Sequence, residues 1–77
     1  MTKLLFYTTL GCHLCEHAET MLLKLQAEQR QQFESVDISS DEKLVELYGI
    51  RIPVVKNPDS GKEIGWPFDE SELLGLL

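Results

Sequence analysis

The sequence predicts one α/β domain over residues 1–77 whose elements follow the order β-α-β-α-β-β-α. Three patterns favour this order. A short apolar run is followed by a long segment of helical periodicity and by a second short run, which is typical of a βαβ unit. A shorter helical segment follows, and then two short runs flank a turn-rich stretch before a leucine-rich end. A chain of 77 residues suffices for one domain with a thin core.

The first half of the chain predicts two strands joined by a long helix. Residues 3–8 include a run of large apolar side chains and predict a strand buried on both faces. From residue 12 or 13 to about residue 31, apolar residues recur at helical spacing. These residues are Leu14, Ala18, Met21, Leu22 and Leu25. Residues 33–38 predict a second strand, which runs parallel to the first because a helix joins the two.

Two shorter helices are expected in the second half. Ser39 or Ser40 can cap the first of them, and Gly49 ends it. Its apolar face would consist of Leu44, Val45, Leu47 and Tyr48. The last helix follows Asp69, which resembles a capping box with Glu72 three residues later. Its apolar side chains are Leu73, Leu74, Leu76 and Leu77.

Two more strands are predicted between these helices. Residues 50–56 predict a third strand that is broken at Pro53, because proline cannot donate to the hydrogen-bond ladder. Residues 57–61 predict a turn, and residues 62–66 return as an antiparallel hairpin partner. Judged from the strand pattern alone, Pro53 marks an edge strand or a bulge.

The charge of the chain restricts its partners. Thirteen acidic residues against seven basic ones give a net charge of -6, which repels a phosphate backbone and argues against nucleic acid as a partner. The sequence has no signal-peptide pattern and no apolar run of membrane-spanning length. We therefore expect a soluble, cytoplasmic monomer.

The chain has two cysteines, Cys12 and Cys15, at the junction between the first strand and the long helix. A disulfide that closes so small a loop removes little chain entropy, so the spacing favours redox chemistry over a structural role. At the helix start, free N–H groups and the helix dipole stabilise a Cys12 thiolate, which makes Cys12 the expected nucleophile. Cys15 lies on the same stripe as Ala18 and Leu22 and is the expected resolving thiol.

Neighbouring side chains modify this prediction. His13 could tune the nucleophile, whereas Glu16 and Glu19 oppose ionisation of a nearby thiol, so we expect moderate activation. A zinc site made of both cysteines, His13 and His17 is disfavoured, because adjacent helical positions point apart and no second ligand pair is present. We expect no metal. His17 is expected to be an ordinary surface residue.

Residues 7–15, Tyr-Thr-Thr-Leu-Gly-Cys-His-Leu-Cys, resemble the strand-to-CxxC segment of the glutaredoxins and their bacterial glutaredoxin-like relatives. Ile52-Pro53 is similar to the cis-proline motif of that family, and the resemblance covers essentially the whole chain. It implies a thioredoxin-like fold with a four-stranded mixed sheet flanked by three helices. It also implies that Pro53 is cis beside the cysteines and that the Ile52 backbone contacts an extended substrate. Arg51 and Tyr7 are further candidate substrate contacts, although Tyr7, like Trp66, is also explained by packing.

The sequence departs from the family's pattern where glutathione would bind. Glutathione-binding members typically carry a lysine at the place of Thr9, a tyrosine at the place of Leu14, and Gly-Gly followed by an acidic residue within the segment 64–69. Asp69 could serve as that acidic contact or as a helix cap. We therefore expect no bound cofactor and only weak glutathione binding.

Two functional hypotheses follow. The leading one is a thiol-disulfide oxidoreductase in which Cys12 and Cys15 reduce protein or small-molecule disulfides, with glutathione or another reductase as electron donor. The alternative is a non-catalytic binding module that docks a partner at the surface around Ile52 and Trp66.

Overall fold

The computed structural model describes residues 3–77 and confirms the predicted order of elements. The strands are β1 (Leu4–Thr8), β2 (Phe33–Asp37), β3 (Val54–Lys56) and β4 (Glu63–Gly65). The helices are α1 (His13–Gln29), α2 (Glu42–Tyr48) and α3 (Glu70–Leu74), and a short 3-10 turn (Ile38–Ser40) precedes α2. In this part of the chain, no helix combines the length and the apolar character needed to cross a membrane.

The four strands form one mixed sheet in the order β2-β1-β3-β4. β1 pairs in parallel with β2 and antiparallel with β3, and β4 pairs antiparallel with β3. The parallel pairing and the closing hairpin were both predicted from the sequence. The register aligns Thr8 with Asp37, so the carboxyl ends of β1 and β2 meet at the same edge of the sheet.

Both faces of the sheet are covered by side chains, because successive residues of a strand point to opposite faces. The first core cluster joins one face to α1 and α3, and the second core cluster lies on the other face. The first comprises Leu4, Phe6, Cys15, Ala18, Leu22, Leu25, Val55, Phe68, Leu73 and Leu76. The second comprises Tyr7, Ile38, Tyr48 and Val54. The prediction that β1 is buried on both faces is thus confirmed.

The long helix α1 follows the predicted stripe. Its buried residues are Cys15, Ala18, Leu22 and Leu25. The helix ends at Gln29 because Arg30 adopts the left-handed conformation with φ 55°, slightly earlier than expected. Leu14 lies off the stripe and is 47% exposed.

The predicted cap of α2 was wrong. Asp41, not Ser39 or Ser40, caps this helix, and its carboxylate accepts a hydrogen bond of 2.9 Å from the amide of Lys43. Both serines lie in the 3-10 turn, where the amide and hydroxyl of Ser39 donate to Asp37. Because the serines are held in these local hydrogen bonds, α2 begins one or two residues later than predicted. Val45 and Leu47 are exposed, so the buried face of α2 is narrower than predicted.

The third strand is shorter than predicted because its first residues form a turn that follows α2. The amides of Arg51 and Ile52 both donate to the carbonyl of Tyr48, at 2.8 and 2.9 Å. Pro53 therefore precedes β3 and does not interrupt it. At the end of the chain, the Asp69 carboxylate caps α3 as predicted and accepts a bond of 2.8 Å from the Glu72 amide.

A polar cluster joins α2 to β4. The Tyr48 hydroxyl donates to one oxygen of the Glu63 carboxylate at 3.0 Å, and Arg51 donates to the other at 2.9 Å. Tyr48 also stacks on Tyr7, with ring centroids 4.4 Å apart. Burial and the bond to Glu63 raise the pKa of Tyr48 to about 12. Burial alone would raise the pKa of Glu63, but the hydrogen bonds from Arg51 and Tyr48 outweigh it and lower that pKa.

We expect Glu63→Gln to lower the free energy of unfolding at pH 7 by about 1 to 3 kcal/mol, because it weakens two hydrogen bonds to a charged group. A lowered folded-state pKa stabilises the wild type above the ordinary value of 4.5, and this stabilisation is lost as the pH falls through the folded-state pKa. Urea unfolding between pH 3 and pH 7 should therefore show a difference that shrinks on acidification. Glu46→Gln, on the exposed side of α2, is the control. A difference of the same size at every pH would contradict the role of the charge.

Candidate active site

Cys12 forms the N-cap of α1. Gly11 turns the chain out of β1 with φ 76°, a conformation that favours glycine, and Cys12 then adopts an extended conformation with φ -96° and ψ 105°. The Cys12 sulfur accepts a hydrogen bond of 3.1 Å from the amide of Cys15. The carbonyl of Cys12 accepts the bond from Glu16 that begins the helical ladder. The sulfur thus takes the position that a serine or aspartate oxygen takes in other helix caps.

Cys12 and Cys15 are joined in a disulfide with a Cα–Cα distance of 5.2 Å. The two residues differ in exposure. Cys15 is only 3% exposed and belongs to the first core cluster, whereas Cys12 is half-buried and packs against its edge. Cys12 is therefore the more accessible of the two residues, and the roles of attacking and resolving thiol stay predictions.

Ile52 and Pro53 lie between α2 and β3. Pro53 is fully buried, and its carbonyl accepts a hydrogen bond of 3.0 Å from Trp66. The Ile52–Pro53 and Trp66–Pro67 peptide bonds are both cis. Ile52 is half-buried and packs against both core clusters, the first of which also contacts Cys12. Since the Ile52 amide already donates to Tyr48, a backbone bond from Ile52 to a substrate would use its carbonyl oxygen.

The other predicted site residues occupy different environments. Tyr7 is buried in the second core cluster, and the guanidinium of Arg51 is held by Glu63 and lies 5.5 Å from the ring centroid of Tyr48. Neither residue lines the cavity beside the cysteines. The structure therefore gives both a packing role, and substrate contact by either stays a prediction.

The two histidines lie on the surface of the first turns of α1. His13 has a 91% exposed side chain, and its Nδ1 lies 3.4 Å from the carboxylate of Glu16. The ring of His17 stacks at 6.4 Å on Trp66. Within residues 3–77, no three histidine, cysteine or acidic side chains are grouped so that they could hold a metal ion.

A cavity of about 280 Å³ opens beside the disulfide. Its lining includes both cysteines, the loop residue Leu10, and the carboxylates of Glu16, Glu19 and Asp37. Sequence reasoning missed Asp37 as a site residue. The predicted parallel pairing of the first two strands was the available signal, because it aligns the carboxyl end of β2 with that of β1.

Hydrogen bonds stabilise the charged form of the Asp37 carboxylate. The hydroxyl and amide of Ser39 donate to its carboxylate at 2.7 and 2.9 Å, and these bonds lower the pKa of Asp37. The Thr9 hydroxyl adds a smaller effect in the same direction. Thr9 occupies the place of the lysine in glutathione-binding glutaredoxins, so this corner of the site carries a negative charge where those proteins carry a positive one.

Comparison with known proteins identifies the family. A family model described as a glutaredoxin-like domain (DUF836) matches residues 3–77. The X-ray structure of protein XcR50 from X. campestris is 39% identical, with a TM-score of 0.80 over 94% of this chain and 91% of that one. The solution structure of protein Ne2328 from Nitrosomonas europaea is 35% identical, with a TM-score of 0.78 over 96% of this chain and 87% of that one.

A more distant structure, of a malarial protein, is 21% identical and shows likeness of fold alone, with a TM-score of 0.71 over 99% of this chain and 92% of that one. No curated protein sequence gives a significant match. The fold is thioredoxin-like, as the sequence predicted. The match over nearly the whole chain shows that it belongs to the family described as the glutaredoxin-like domain (DUF836).

Proposed function

We propose that the protein is a thiol-disulfide oxidoreductase that cycles Cys12 and Cys15 between a dithiol and a disulfide. The observation that carries this proposal is the asymmetry of the pair. The sulfur of Cys12 caps α1 and is accessible, whereas Cys15 is buried directly beneath it in the first turn. A hydrogen bond at a helix N-terminus stabilises a thiolate relative to a thiol, and the thiolate is the attacking species.

The reaction proceeds in two exchanges. The Cys12 thiolate attacks one sulfur of a substrate disulfide, which forms a mixed disulfide and releases the other substrate sulfur as a thiolate that takes up a proton. Cys15 then loses its proton and attacks the Cys12 sulfur, which forms the intramolecular disulfide and releases the second substrate thiol. Two electrons pass from the dithiol to the substrate. A thiol reductant must then reduce the protein, which suits a reducing compartment such as the cytoplasm.

The surface beside the disulfide supports a protein or peptide as substrate. Ile52 and Cys12 both pack against the first core cluster, and the Ile52 carbonyl is the backbone group that an extended substrate chain would use. Leu10 and Leu14 are exposed at 91% and 47%. Exposed apolar side chains next to a reactive sulfur favour contact with a partner chain.

The same exposed leucines also favour the alternative, a non-catalytic binding module. In that case Cys12 would have no special reactivity. The two functions are therefore separated by the chemistry of the reduced thiols.

We expect Cys12→Ser to abolish disulfide reduction, because the accessible nucleophile is lost, and Cys15→Ser to retain attack but accumulate mixed disulfides. In the reduced wild type, iodoacetamide at pH 7 should modify Cys12 faster than free cysteine and Cys15 more slowly, since Cys15 is 3% exposed. Peptide mapping by mass spectrometry gives the two rates. Equal rates at both cysteines, or a Cys12 no faster than free cysteine, would favour the binding module.

We further propose that glutathione is a poor electron donor for this protein. Glutathione carries two carboxylates, and the cavity beside the cysteines presents Glu16, Glu19 and Asp37. Like charges disfavour its approach, and the lysine that would compensate is replaced by Thr9.

We expect Thr9→Lys to increase the rate at which glutathione reduces the oxidised protein by about tenfold, the effect of one weak charge-assisted contact. Gln26→Lys, on the exposed surface of α1, adds the same charge elsewhere and serves as the control. Stopped-flow fluorescence of the single Trp66 or gel-shift alkylation can follow the reduction. A wild-type protein that glutathione alone already reduces efficiently would contradict this prediction.

A further inference from the structure

The cavity beside the disulfide has three acidic residues in its lining. Glu16 and Glu19 extend from the first turns of α1, and Asp37 approaches from the end of β2. No lysine or arginine of the described residues lines the cavity. Three acidic residues thus line the same cavity as Cys12.

The negative charges of these carboxylates are only weakly neutralised by nearby positive groups. Glu19 forms no ion pair among residues 3–77, and Glu16 lies near His13, whose side chain is exposed and is positive only when protonated. Asp37 accepts its hydrogen bonds from the neutral Ser39, so its charge remains available. The field of the cavity is therefore negative.

The size of the cavity suits part of a substrate. At about 280 Å³ it lies just below the range of roughly 300–1,000 Å³ typical of clefts that hold a whole small molecule. Its lining combines the apolar, exposed Leu10 with the three acidic residues. Lysine and arginine combine an apolar stem with a charged head, so one such side chain would match both parts of this lining.

We propose that the disulfide site selects protein or peptide disulfides in which a lysine or arginine lies next to the cysteine that is attacked. This proposal rests on the proposed oxidoreductase function and specifies its substrate class. The basic side chain enters the cavity between Leu10 and the carboxylates while the neighbouring sulfur reacts with Cys12. Glu16 and Glu19 act as specificity-determining residues, and the two thiol exchanges remain as described above.

The test uses the full reduced chain and three peptide disulfides. They are symmetric dimers of a five-residue peptide Ala-X-Cys-X-Ala in which X is lysine, serine or glutamate. Stopped-flow rate constants are measured at low salt and divided by those of dithiothreitol with the same peptides, because charge also changes the intrinsic reactivity of a disulfide. We expect the normalised ratio of the lysine to the glutamate peptide to be about tenfold or more. It should fall in 1 M salt, where screening acts over about 3 Å.

The variant that tests the carboxylates is Glu16→Gln/Glu19→Gln. Two charges several Å from the bound side chain should change the preference by about 5- to 10-fold, so we expect the ratio to fall by that factor. Glu28→Gln/Glu46→Gln changes the net charge by the same amount outside the cavity and should leave the ratio unchanged. If the double variant does not fold, Glu19→Gln alone keeps the first turn of α1 intact and should lower the ratio about 2- to 3-fold.

The outcomes separate the two proposals. A reduced protein that reacts with no peptide faster than dithiothreitol does would overturn the oxidoreductase function, and the substrate class with it. Fast reaction without a lysine preference, or with a preference that both double variants lower equally, would overturn the substrate class and leave the oxidoreductase function standing. A preference lost only in the Glu16 and Glu19 variants would support both.

Discussion

The hydrogen bond from the Cys15 amide to the Cys12 sulfur connects the folding of this protein to its chemistry. A helix that begins at the end of a central strand leaves amide groups without partners, and one of them must be satisfied by the residue that precedes the helix. Here that residue is a cysteine, so the atom that caps α1 is also the accessible sulfur. The left-handed turn at Gly11 makes this possible, because it brings the chain out of β1 into the extended conformation that an N-cap requires.

Contacts on both faces of the sheet fix the junction between β1 and α1. On one face of the sheet, α1 packs its buried stripe over Leu4 and Phe6, which fixes the helix relative to the strand that leads into it. On the other face, Tyr48 stacks on Tyr7 and shares Glu63 with Arg51, so the loop that carries Ile52 is tied to both α2 and β4. Contacts on one face of β1 therefore position the Cys12 sulfur, and contacts on the other face position the loop that carries Ile52.

Long-range periodicity made most of this architecture predictable. The stripe from Cys15 to Leu25 and the apolar run of β1 repeat often enough that single exceptions, such as the exposed Leu14, do not obscure them. Features that depend on competition between neighbouring residues for the same hydrogen bonds were less predictable. Ser39 and Asp41 are both good capping residues, and only the 3-10 turn after β2 selects the aspartate. Likewise, Ile50 and Ile52 suggested a strand, but the amides of Arg51 and Ile52 bond to the last carbonyl of α2.

The candidate site shows the same difference between predictable and less predictable features. The buried position of Cys15 was predictable from the helical stripe, because it follows from positions close together in the sequence. Asp37 reaches the cavity only through the pairing of two strands, about 25 residues from Cys12 along the chain. A site residue that is brought in by strand pairing can be found by following the predicted register to the last residue of each strand.

The strand order has a consequence for synthesis on the ribosome. β1 lies in the middle of the sheet, but its two neighbours come from distant parts of the chain, β2 from residue 33 and β3 from residue 54. A nascent chain that has emerged as far as β2 can close the βαβ unit around the cysteines while the other side of β1 is still an unpaired edge. Until β3 arrives, the cysteines and α1 are present without the Ile52 loop, which directly precedes β3. During this interval, a chaperone that covers the free edge of β1 would keep the strand from pairing with another chain.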